Sequence, residues 1–180
     1  MNYYAIQVKT KSEDKYLKMA EYMLDVNSIE PQDRPTFIWP RRKLTIRKQG
    51  RSREHLAPIF PGYLFLETDT ILPDVYWTLR KVTGFFRFLQ NNQKIEPLGG
   101  IDRELLLHFL SFGEVVDKST VYFDKNQKIR VMNGPMKGLE GRVIKVDKRK
   151  QRAKIRLDLY NNSFCIDFGF ELLEGVNEKE

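Results

Sequence analysis

Nine of the twenty residues from Lys137 to Arg156 are lysine or arginine: Lys137, Arg142, Lys145, Lys148, Arg149, Lys150, Arg152, Lys154 and Arg156, against the two acids Glu140 and Asp147. Cations at this density neutralise phosphate and release the counterions condensed on a polyanion. A second basic stretch, Arg34 to Arg53, carries eight Lys/Arg and no acid. Each stretch alone matches or exceeds the +7 of the whole chain, so the remainder is net acidic. Basicity is focused, which argues for a polyanionic partner where a uniformly charged surface would chiefly aid solubility.

Other chemistries lack their residues. His55 and His108 are far apart and Cys165 stands between Phe164 and Ile166, so no His/Cys cluster has metal-ligand spacing. No phosphate-cradling GxxxxGK[ST] loop and no GxSxG elbow occurs, and no Asp/Glu pairing suggests general acid and base. An enzyme is the least supported class, and no cofactor or metal is expected.

The elements that must carry these charges follow from hydrophobic spacing. Tyr4, Ile6 and Val8 alternate as in a half-buried strand. Tyr16, Leu17, Ala20, Met23 and Leu24 recur at helical spacing after Ser12, a candidate cap, and before Asn27-Ser28. The segment RRKLTIRKQGRSREHL reads as a protruding hairpin turning at Gln49-Gly50, and IFPGYLFLE as a central strand. Pro73 suits the first turn of a helix, FFRFL is a further strand, and Asp102 and Gly113 cap a last helix. The segment EVVDKSTVYFDKN loses helical period, so a linker is placed at 115–126. Beyond it, Ile129/Val131, Val143/Val146, 153–159 and 164–170 supply four or five short strands in a small barrel with basic outward faces.

One cysteine cannot form an internal disulfide, and no apolar run reaches bilayer length. The N-terminus lacks a signal-peptide pattern. A cytoplasmic monomer without membrane contact is expected.

Three segments, YYAIQVKTKSEDK, FPGYLFLE and VMNGPMKGLEGRVIKVDKRKQRAKIRL, resemble, in this order, the signatures of the NusG transcription-elongation factors. The DKRKQRAKIRL stretch is similar to LoaP, a specialised paralogue in that family that acts as a processive antiterminator. The resemblance implies an α+β fold: an N-terminal NGN α/β sandwich with a mainly antiparallel sheet over 1–114, the linker, and a small C-terminal KOW β-barrel over 127–177. It implies no catalysis.

It also implies an NGN domain that binds the clamp helices of RNA polymerase through an apolar pocket with Tyr63, Phe65, Phe85 and Phe88. Periodicity alone reads these four as core; the family match makes them a pocket, each aromatic worth roughly 1.5–3 kcal/mol when buried. Arg80 matches a basic position that lies near the non-template DNA strand in some relatives, and Lys9 and Lys11 are expected on the same side. General NusG proteins use the KOW domain to reach Rho or a ribosomal protein, whereas LoaP-like proteins resemble RNA-hairpin binders. The nine basic residues favour a nascent RNA hairpin, read mostly through shape and backbone. The alternatives are a housekeeping NusG and a ribosome-associated KOW protein without polymerase contact. The hairpin basics Arg41, Arg42, Lys43, Arg47, Lys48, Arg51 and Arg53 stay open between nucleic-acid contact, polymerase contact and a solvated arm.

Overall fold

A computed structural model describes residues 1–89, 92 and 94–173, except for the side chains of Arg47 and Lys48. In chain order the elements are β1 (Asn2–Val8), α1 (Glu13–Val26), β2 (Thr36–Ile38), β3 (Arg41–Lys48), β4 (Arg51–Pro58), β5 (Tyr63–Thr68), α2 (Pro73–Lys81) and β6 (Phe85–Phe88). There follow α3 (Gly100–Leu110), β7 (Val115–Val116), β8 (Ser119–Phe123), β9 (Ile129–Asn133), β10 (Val143–Asp147), β11 (Arg152–Leu159) and β12 (Asn162–Leu172). The fold is α+β, and the chain divides into two compact units, residues 1–39 with 60–104 and residues 40–59 with 105–180.

The first unit is an antiparallel sheet of order β2-β5-β1-β6, so the FPGYLFLE strand is central. Alternation along β1 and β5 assigns two faces. Tyr4, Ile6 and Val8 join Leu64, Leu66 and Phe88 in a core with Tyr16, Ala20 and Leu24 of α1 and Val75 and Leu79 of α2. The Tyr16 hydroxyl donates to the Leu79 carbonyl oxygen at 2.8 Å, and burial pushes its pKa well above the ordinary tyrosine value. Pro73 occupies the first turn of α2, where its missing N–H costs nothing. Ser12 flanks α1 without a side-chain cap bond; buried Glu13 instead accepts the Gly62 N–H at 2.8 Å. Gly62 has φ +83°, and a Cβ there would meet Thr10 Oγ1 at 2.9 Å, so the FPG turn requires glycine.

The second unit holds the β3–β4 hairpin, which turns at Gln49 and Gly50 with φ +50° and +74°, and β7 pairs parallel with β3. It also holds a curled five-stranded sheet of order β10-β11-β12-β8-β9, the barrel expected from the sequence. Its core comes from alternate residues Ala153, Ile155, Leu157 and Leu159 of β11 with Ile166, Phe168 and Phe170 of β12. Phe109 of α3 stacks on Phe168 at 5.5 Å. Asp102 lies inside the first turn of α3, not before it, whereas Gly113 (φ +94°) ends the helix, donating to the Leu110 carbonyl.

Residues 115–126, expected as a linker, carry β7 and β8. Charged neighbours hid the period of β8, whose Ser119 and Val121 are buried and which pairs parallel with β12. The hairpin, expected within the first domain, belongs to the same compact unit as the barrel, and the last expected barrel residues, 174–177, lie outside the described residues. Among the described residues no helix is long and apolar enough to cross a membrane, and no group of His, Cys, Asp or Glu could hold a metal ion.

Candidate nucleic-acid interface

The basic stretch folds into one hairpin and its turn. Strict alternation on β11 buries Ala153, Ile155 and Leu157 and turns Arg152, Lys154 and Arg156 outward. Antiparallel pairing with β10 sets Lys145 opposite Lys154 and Asp147 opposite Arg152. Lys148, Arg149 and Lys150 are exposed in the connecting turn. Like charges directly opposite across a ladder repel; Asp167, 3.7 Å from Lys154, offsets part of this repulsion in the Lys145/Lys154 pair, and a polyanion would relieve the rest. Arg142 lies in a short 3-10 turn before β10, and exposed Lys137 in the turn after β9, the other edge strand of the sheet.

Acids interleave with this ridge more than the basic run suggested. Asp158 continues the outward row of β11 and lies 3.3 Å from Arg156 and 3.9 Å from Arg142, while Asp167 on β12 lies 3.7 Å from Lys154. Both acids were legible as period-two continuations of the outward rows. Asp147 accepts the Lys150 N–H at 2.9 Å, which holds its carboxyl below the usual range, with Lys150, Arg149 and Lys145 adding to the effect. Asp158 is likewise lowered, first by the Ser163 hydroxyl and then by Arg156. These pairs are solvent-exposed and add little stability. Lys148 reaches Gln127 Oε1 at 2.6 Å and sits 4.0 Å from the Phe123 ring centroid, which aims its ammonium. Arg152 differs: it donates through Nη2 to the Thr45 carbonyl at 2.6 Å and fastens the turn to the β3–β4 hairpin. Six cations, Lys145, Lys148, Arg149, Lys150, Lys154 and Arg156, therefore form the outward patch.

The hairpin basics separate. Arg42 is buried; it donates to the carbonyl oxygens of Asp167 and Pro58 and lies 5.7 Å from the Phe168 ring centroid. Burial pushes its guanidinium down to about 10, with Asp167 opposing the shift, so it remains a cation at neutral pH. It is a staple between β3 and β12. Lys43 pairs with Asp117 at 2.9 Å. Arg51 and Arg53 are exposed on β4, and the side chains of Arg47 and Lys48 lie outside those described.

The four aromatic residues expected as one pocket are not brought to one surface. Tyr63, Phe65 and Phe88 are buried and Phe85 is half-buried. Phe85 and Phe88 belong to the helix-side core, 5.5 Å apart. Tyr63 and Phe65 point to the opposite face, registered with Gln7 and Ala5, and Phe65 meets Phe60 edge-on at 5.4 Å. The large aromatics solvent reaches in this unit are Phe86, Trp77 and Tyr22, each more than half exposed. No periodicity marks Phe86, because the pairing of β1 with β6 shifts register at Gln7/Val8. Lys9 and Lys11 are exposed after β1. Arg80 on α2 donates to the Tyr76 hydroxyl at 2.6 Å and packs 5.1 Å from the Trp77 ring centroid.

A family model described as Transcription termination factor nusG matches residues 1–107, and one described as KOW motif matches residues 125–156. Relatives named Transcription termination/antitermination protein NusG include that of Helicobacter pylori strain J99, 22% identical over 98% of this chain and 99% of its own. That of Borreliella burgdorferi is 24% identical over 76% of this chain and 78% of its own. A solved structure titled "Domain interaction in Thermotoga maritima NusG" superposes with a TM-score of 0.63 at 18% identity, covering 93% of each chain. With the first family matched over more than half its length and the KOW motif over the ridge, this chain belongs to the NusG family of transcription termination/antitermination factors.

Proposed function

We propose that this NusG-family protein is an operon-specific processive antiterminator of the LoaP type. Its NGN domain, residues 1–114, holds the clamp helices of RNA polymerase. Its KOW domain, residues 127–177, captures a nascent RNA hairpin, with 115–126 between them. The observation that carries the reading is the outward patch of Lys145, Lys148, Arg149, Lys150, Lys154 and Arg156, with Lys145 and Lys154 face to face across the ladder. A protein-binding barrel would gain from an apolar patch there. Lys137, Arg142 and Arg152 extend or brace the patch.

On the polymerase side, the edge strand β6 offers Phe86 and the half-buried Phe85 as apolar contact, while Tyr63, Phe65 and Phe88 fix the strands that carry them. Lys9, Lys11 and Arg80 remain the residues nearest in character to a non-template DNA contact. Binding polymerase and transcript together raises avidity by about 10² to 10⁴ over either weak contact alone. Selectivity for transcripts bearing the hairpin follows from that tether.

The test is RNA binding by the variant Lys148→Glu, Arg149→Glu, Lys150→Glu. Loss of stem-loop affinity by at least tenfold is expected; unchanged affinity would leave the housekeeping reading, with Rho or a ribosomal protein on the barrel. Co-purification of polymerase separates both from a ribosome-associated protein.

A further inference from the structure

A cleft of about 480 Å³ opens between the β3–β4 hairpin and the β10–β11 turn, lined by Thr45, Ile46, Arg149, Lys150, Gln151 and Arg152. All of these belong to one compact unit. One wall carries Ile46, which is 39% exposed, and the other carries three cations and a carboxamide. A duplex backbone alone would call only for the cations. Apolar surface, an amide able to read a base edge, and phosphate-seeking arginine and lysine are together the chemistry of a nucleotide whose base is unpaired. The volume lies within the ~300–1,000 Å³ of clefts that enclose units of such size.

The walls are joined before any ligand arrives. Arg152 Nη2 donates to the Thr45 carbonyl at 2.6 Å, and Arg42 ties β3 to the Asp167 carbonyl of β12. A fixed cleft loses less freedom on binding than a mobile one. The Nε of Arg152 is buried with no hydrogen-bond partner among the described residues. Gln151 is held with φ +51° in the turn, its N–H donating to the Lys148 carbonyl at 3.3 Å and its carbonyl accepting the Phe170 N–H at 3.0 Å. The backbone that presents its side chain is thus set on both sides.

We infer that this cleft seats one unpaired nucleotide of the RNA, from the loop or a bulge of the stem-loop whose stem phosphates lie on the Lys145/Lys154 patch. The inference rests on the RNA-binding reading and adds a site for the base. It turns the β3–β4 hairpin from a solvated arm into the second half of the RNA grip.

Fluorescence anisotropy of the full chain with a labelled RNA stem-loop, and with a blunt duplex of the same stem, tests it. The native protein should bind the stem-loop about tenfold more tightly than the duplex. Ile46→Ser and Gln151→Gly, both of which keep the charge and suit exposed or left-handed positions, should each remove most of that preference and leave duplex affinity unchanged. Equal binding of both RNAs, or a preference untouched by both variants, would overturn the cleft assignment while leaving the phosphate patch in place. Failure to bind either RNA would overturn the assignment together with the reading beneath it. A DNA stem-loop of the same sequence bound as tightly as the RNA would overturn the choice of RNA.

Discussion

Gly134 shows how closely single residues constrain the barrel. Its φ is +100°, and a Cβ there would lie 2.6 Å from Ser119 Cα, a backbone atom that cannot step aside cheaply. Gly134→Ala should cost about 2–3 kcal/mol by urea denaturation, whereas Gly50→Asn, in a turn with open space around it, should cost under about 1 kcal/mol. Arg42→Ala removes a buried side chain and the donor to two part-buried carbonyl oxygens and should destabilise by about 2–3 kcal/mol, against about 0.5 kcal/mol or less for exposed Arg51→Ala, by the same measurement. Sequence could not tell these arginines apart: both sit in one basic run, and only tertiary pairing sends Arg42 inward. Glycines were readable as turn residues, but the atom each one avoids was not.

At the scale of elements, the outward rows of β11 and the turn before it were legible because a period of two leaves no choice once Ala153, Ile155 and Leu157 are buried. The segment holding β7 and β8 was not, since two-residue and five-residue strands flanked by charge give no sustained period. The aromatic set misled for a related reason. Tyr63 and Phe65 share one face of β5, while the partner of Ile6 on β6, Phe88, falls on the other. Phe86→Asp should therefore weaken co-purification of polymerase with the circular dichroism spectrum intact, while Tyr63→Ala should lower stability by about 3 kcal/mol.

The acids of the barrel give a pH signature. Asp124, Asp147 and Asp158 are all held below the ordinary carboxylate value, by the Lys128 N–H, the Lys150 N–H and the Ser163 hydroxyl respectively as the largest causes. Their folded forms bind protons less readily than their unfolded forms. The stability they contribute is thus full above about pH 4 and lost as pH falls through the lower folded values. These carboxylates are partly exposed, so the effect is small: the urea midpoint should be flat from pH 7 to about pH 4.5 and decline only modestly below pH 4.

For the whole molecule, the proposed reading is of a NusG-family chain whose barrel takes the transcript while its other unit holds the transcribing enzyme. The family and the α+β fold were legible from three ordered segments, because turn glycines and strand periods survive where overall identity falls to 22%. The grouping of the β3–β4 hairpin with the barrel was not legible, since it depends on contacts across more than a hundred residues, such as Arg42 to Asp167. The most direct measurement is the salt dependence of stem-loop RNA binding between 50 and 200 mM. Six phosphate contacts predict a slope of log K on log salt of about −4 to −5, a loss of roughly 10³ in affinity over that range. A slope near zero, or no binding at the lower salt, would contradict the account.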